Sequence, residues 1–93
     1  MNNTVVQFEL VKIENETRGF EIIVDPTSLH INGKFNWLLL NDFLFNGKID
    51  GHLMDIVKDL ELYQSKRITL EIWEDSDDEH ERSWIDYEVL KVE

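Results

Sequence analysis

Two stretches near the end of the chain alternate with a period of two: RITLEIWE, residues 67–74, and WIDYEVLKVE, residues 84–93. Successive side chains of a strand point to opposite faces, so such alternation asks for a sheet with one face on a core. Ile68, Leu70 and Ile72 share one face of the first stretch, with Thr69, Glu71 and Trp73 on the other. In the second, Ile85, Tyr87 and Val89 are set against Trp84, Asp86 and Glu88. Between them lies EDSDDEHE, in which Glu74, Asp75, Asp77, Asp78, Glu79 and Glu81 are carboxylates. The pattern predicts an antiparallel hairpin with an acidic connection.

A register follows from matching apolar partners, because a slip of one residue inverts a strand's faces. Pairing Ile72 with Ile85, Leu70 with Tyr87 and Ile68 with Val89 turns all of them inward. The outer face then sets Trp73 against Trp84, Glu71 against Asp86 and Thr69 against Glu88. A cross-strand Trp pair is favourable, whereas like charges directly opposed are destabilising. Repulsion that folding does not require points to a working surface. Exposed Trp in charged surroundings is also the composition of a binding hot spot. A different register, or a sheet face covered by residues 26–35, would remove the conflict.

Upstream, VVQFELVKIE (5–14) reads as a strand, with Val6, Phe8 and Leu10 on one face. Val11 and Ile13 fall on the other, which suggests a bulge or burial on both sides. FEIIVD (20–25) completes a hairpin through NETRG, and Pro26 is expected to end it. Asn32-Gly33 marks a turn, with a brief strand pair around Ile31 and Phe35. NWLLLNDFLFNG (36–47) fits a hairpin turning at Asn41-Asp42, or a short helix capped by Asn36 and stopped by Gly47. The helix is favoured by the segment after it. Asp50 reads as an N-cap, and Leu53, Ile56, Val57, Leu60 and Tyr63 share one helical face. The order strand, strand, helix, helix, strand, strand predicts an α+β domain over residues 1–93. Its expected core is a four-stranded, mainly antiparallel sheet with two helices packed on one face.

The chemistry of the chain is set by its charge. Twenty acids face nine Lys and Arg, a net of −11 over 93 residues. The last 23 residues hold ten of the acids and two bases, Arg82 and Lys91, a net of −8. Such a chain repels nucleic acid and anionic membranes and attracts basic surfaces. Its first residues do not read as a signal peptide, and no apolar run approaches the ~20 residues of a membrane span. The expected location is cytoplasmic.

EDSDDEHE fails as an EF-hand. Counted from Asp75, position six is His80 where Gly is needed, and position twelve is Asp86 where Glu is needed. His30, His52 and His80 have no ligand-like spacing, and His52 with Asp55 reads as a surface pair. There is no Cys, no Gly-x-Ser-x-Gly elbow and no Gly-rich phosphate loop. No enzyme activity, metal or cofactor is expected.

The expected function is therefore that of a small acidic inhibitor. It would present carboxylates where a nuclease or other nucleic-acid-binding protein expects phosphates. The expected partner-binding residues are Glu71, Trp73, Glu74, Asp75, Asp77, Asp78, Glu79, Glu81, Trp84, Asp86 and Glu88. Toxin immunity proteins and phage inhibitors of bacterial defence, anti-CRISPR proteins among them, are similar in size, acidity and lack of cysteine. No motif ties this chain to any of their families. The alternative is a structural or adaptor domain whose acidity serves solubility.

Overall fold

A computed structural model of the chain describes residues 3–46, 49 and 51–93. β1 (Thr4–Asn15) and β2 (Gly19–Asn32) form the first hairpin, followed by helices α1 (Trp37–Phe45) and α2 (Gly51–Ile56). β3 (Ser65–Asp77) and β4 (Arg82–Val92) form the second hairpin. The four strands make one antiparallel sheet in the order β2-β1-β3-β4. This is an α+β structure, as expected, with the second helix much shorter than expected.

The alternation in the sequence selects the core. Val6, Phe8 and Leu10 of β1 and Ile68, Leu70 and Ile72 of β3 are fully buried on one sheet face. Leu40, Phe43 and Leu44 of α1 pack with them, as do Leu53, Val57 and Leu60. Ile85, Tyr87 and Val89 of the edge strand β4 are half-buried against the same cluster.

Three expectations about the connections are corrected. Pro26 does not end the first hairpin. β2 runs on to Asn32, and Ile31 pairs with Val6 rather than with a strand near Phe35. Pro is tolerated because β2 is an edge strand and residues 26–29 bulge out of register between Asp25 and His30. Side chains replace the lost ladder. The Glu9 N–H donates to Ser28 Oγ at 2.7 Å, Ser28 Oγ donates to the Asp25 carbonyl at 2.6 Å, and the Thr27 N–H donates to Asp25 Oδ1 at 3.0 Å. Asn32-Gly33 is accordingly the exit from the sheet. Gly33 has φ +118 and lies against Thr4, where an added Cβ would come within 3.1 Å of Oγ1.

The second correction concerns the helices. Asn36 caps α1 as expected, its Oδ1 accepting from the Leu39 N–H at 3.3 Å. The expected stop at Gly47 and cap at Asp50 lie outside the described residues. α2 ends at Ile56 and gives way to tighter turns, in which Val57 and Leu60 donate to carbonyls three residues back. The chain must leave the helix to join β1: the Tyr63 N–H donates to the Lys12 carbonyl at 2.7 Å, and the Lys12 N–H to the Gln64 carbonyl at 3.1 Å. Tyr63 takes a positive φ of 66 and is exposed, so it leaves the expected apolar face.

The third correction is the register of the second hairpin. Ile72 pairs with Tyr87, Leu70 with Val89 and Glu71 with Glu88, two residues out from the expected pairing. A slip of two preserves each face and changes only the partners. Strand pairing continues to Asp77 and Arg82, so half of EDSDDEHE is strand rather than connection. A bulge between Thr69 and Leu70 then carries Ile68 to Val92.

Candidate functional site

The acidic tip is organised by its own carboxylates. Residues 78–81 form the turn, with Glu81 at φ +50. Asp77 Oδ1 accepts the Glu79 N–H at 3.0 Å, and its Oδ2 lies 2.6 Å from His80 Nδ1. Short polar side chains stabilise turns in this way by accepting from the backbone two residues on. Asp77 is thus committed to shaping the turn. Asp78, Glu79 and Glu81 remain exposed at its rim.

Behind the tip, register places Glu71, Trp73 and Asp75 of β3 beside Glu88, Asp86 and Trp84 of β4 on the face away from the helices. The expected direct opposition of the two Trp side chains is not found. Trp73 faces Asp86 and Trp84 faces Asp75, so indoles and carboxylates alternate around a four-residue square. The two carboxylates meet on its diagonal. Asp86 holds its proton more tightly than an ordinary aspartate, first through a hydrogen bond with the Asp75 carboxyl, then through partial burial and the Asp75 charge. A hydrogen bond with Trp84 acts in the opposite sense. Glu71 still faces a like charge, now Glu88 instead of Asp86, and takes a hydrogen bond from Asn3 Nδ2 at 3.2 Å. Segment 26–35 follows the edge strand β2 and then the core side of β1, where the Lys34 carbonyl accepts from Thr4 Oγ1 at 2.7 Å, and so does not cover this square.

The expected residues therefore separate into three groups. Glu71, Trp73, Asp75, Trp84, Asp86 and Glu88 share the outer face. Asp77, Asp78, Glu79 and Glu81 surround the turn. Glu74 pairs with Ile85 and points to the helix side, apart from the others.

Sequence reasoning missed an apolar neighbour of this site. Leu39, Asp42 and Phe43 of α1 and Ser83, Trp84, Ile85 and Tyr87 of β4 line a shallow groove of 280 Å³. In the first turn of α1, Trp37 is 52% and Leu38 81% exposed. The signal was present in NWLLLNDFLF, which is apolar on nearly every side. A nine-residue helix buries one face on a sheet, so such a sequence must leave apolar side chains exposed.

The metal and imidazole readings also take a definite form. Asp77, Glu79 and His80 bring ligand atoms within 4.8 Å of one another, all at the exposed turn. That is a composition able to hold a hard cation weakly, without the buried, preorganised shell of a dedicated site. His52 stacks near Tyr87, with ring centroids 6.4 Å apart, which places it over the β4 edge. Among the described residues no helix is long and apolar enough to cross a membrane. Comparison with protein-family models, with curated proteins and with solved structures finds no match to this chain.

Proposed function

We propose that the chain is a protein-binding inhibitor that uses the β3–β4 hairpin to occupy a basic, nucleic-acid-binding surface of its partner, a nuclease or related protein. The observation that carries this reading is the alignment of carboxylates across paired strands: Glu71 against Glu88, and Asp75 close to Asp86 between two indoles. Stability alone disfavours both contacts. A regular array of negative charge is what a phosphate-binding surface recognises, and such charge speeds capture in a salt-dependent way. Trp73 and Trp84 add the desolvated contact that slows release. Toxin immunity and anti-defence roles, including the anti-CRISPR kind, both suit this chemistry. The acidity-for-solubility alternative is less favoured, because solubility requires neither clustering nor opposed like charges.

The test is capture of binding proteins at low and high salt by the wild-type chain and by a variant carrying Asp75→Asn, Asp77→Asn, Asp78→Asn and Glu79→Gln. Asn at 77 keeps an acceptor for the turn. Basic proteins held by the wild type, released by salt and displaced by competing duplex DNA support the reading. Equal capture by the variant overturns it.

A further inference from the structure

A second surface lies at the corner of the sheet diagonally opposite the acidic tip. β2 and β4 are the two edges, and the β1–β2 turn adjoins the Ser65 end of β3, away from Asp77. Here β2 and the helices diverge and leave a groove of 1030 Å³. This is at the upper end of the roughly 300–1,000 Å³ of small-molecule sites. Phe20, Ile22 and Val24 of β2 and Leu44, Phe45 and Met54 of the helical layer supply its apolar wall. Phe20 is 48% exposed there, although it belongs to the sheet face that elsewhere forms the core.

Among the described residues, the charged side chains of this groove run against the trend of the chain: Lys12, Arg18 and Lys58 line it, against Glu21 and Asp55. Lys12 is already engaged: its Nζ sits 4.0 Å from the Phe20 ring centroid and donates to the Leu60 carbonyl at 3.1 Å. Among the described residues the side chains of Arg18 and Lys58 have neither an ion pair nor a hydrogen bond. Arg18 stands at the turn end of the groove, and the wall from Phe20 to Val24 runs away from it. Four strand rises of ~3.3 Å give that wall a length of about 13 Å, close to an extended chain of about a dozen carbons.

We infer that this groove binds a free long-chain carboxylate, with the tail along Phe20, Ile22, Leu44, Phe45 and Met54 and the headgroup at Arg18 and Lys58. Charge complementarity selects the anion, since the described side chains lining the groove carry more positive than negative charge on a chain of net charge −11. The apolar wall selects the chain. A guanidinium meets a carboxylate through two parallel hydrogen bonds, which fixes the orientation of the amphiphile.

The probe is monomeric sodium dodecanoate, titrated into the full chain and followed by amide chemical shifts. Shifts confined to residues 18–24, 44–45 and 54–58 are expected. Dodecyltrimethylammonium should bind about tenfold more weakly, and Arg18→Glu with Lys58→Glu should lower dodecanoate affinity by about tenfold or more while leaving shift dispersion intact. Shifts centred on Trp37 and Leu38, equal binding of the cationic amphiphile, or no shift up to about 1 mM would each overturn the inference. So would uptake of the chain by phosphatidylglycerol vesicles without binding of monomeric dodecanoate, which would mark a membrane surface instead.

Discussion

The two hairpins of this sheet are built alike and charged differently. Each is closed by a short polar side chain at the end of its first strand. Asn15 Oδ1 accepts from the N–H groups of Thr17 and Arg18 at 2.9 and 3.0 Å, as Asp77 Oδ1 accepts from Glu79. On the outer face, Glu9 of the first hairpin also faces a like charge, Asp25 of β2, but Arg67 of β3 lies on its other side, 3.6 Å away. Next to it Gln7 donates to Thr69 Oγ1 at 3.3 Å. In the second hairpin Glu71 meets Glu88, and Asp75 meets Asp86. A like-charged cross-strand pair thus occurs in both hairpins, but among the described residues only in the first does a neighbouring strand supply a cation that offsets it.

The largest effect that would sharpen this contrast is on binding. Neutralising Asp75, Asp77, Asp78 and Glu79 should weaken the partner by about tenfold or more and flatten the dependence of log Kd on log salt. The matching neutralisation in the first hairpin, Glu9→Gln with Glu21→Gln, should leave both unchanged. Titration calorimetry at several salt concentrations distinguishes the hairpins, and equal effects would erase the distinction.

Turn closure should show the hairpins as equivalent. Asn15→Ala and Asp77→Ala each remove acceptors for backbone N–H groups and should cost roughly 0.5–1.5 kcal/mol by urea denaturation. A much larger loss at one turn would mean that the two are not built on the same principle.

Charge reversal should move the two β3 contacts, with β4 and with β1, in opposite directions. Glu71→Lys places a cation opposite Glu88 and should stabilise the chain by roughly 0.2–1 kcal/mol, whereas Arg67→Glu should destabilise it by a similar amount. A fall in melting temperature for Glu71→Lys would contradict the observed register.

The smallest effect is the pH dependence of the carboxylate pair. The folded Asp86 keeps its proton to a higher pH than a free side chain, whose value is 3.8. Its contribution to stability is therefore fully present below that value and is lost as pH rises through the folded one. Asp75→Asn relieves the repulsion, so this variant should gain on the wild type at pH 7 and lose the gain towards pH 4. Thermal melts at both pH values test this, and parallel curves would mean that the carboxylates do not meet.

Much of this was legible in the residues because it depends on period. Alternation in β3 and β4 assigned Ile68, Leu70 and Ile72 to the core and Glu71, Trp73, Asp86 and Glu88 to the outer face, and a slip of two left those faces intact. Partner identity is a different matter. It depends on where the turn closes, which the backbone contacts of Asp77 set, and on a bulge between Thr69 and Leu70 that shifts the partners of Ile68 and Thr69. The run through Pro26 could not be read locally either. It requires an edge position and a bulge satisfied by Ser28 and Asp25, neither of which a strand displays in isolation.

The amino-acid sequence by itself determined the two faces of each strand, the helix cap at Asn36 and the concentration of acid in the last quarter of the chain, because these rest on local geometry and composition. Only the tertiary structure decided which carboxylates meet, where Trp37 and Leu38 stand, and that Lys12, Arg18 and Lys58 line one groove. Those are relations between segments distant in the chain. They are fixed by which strands become edges and how far two short helices reach across the sheet.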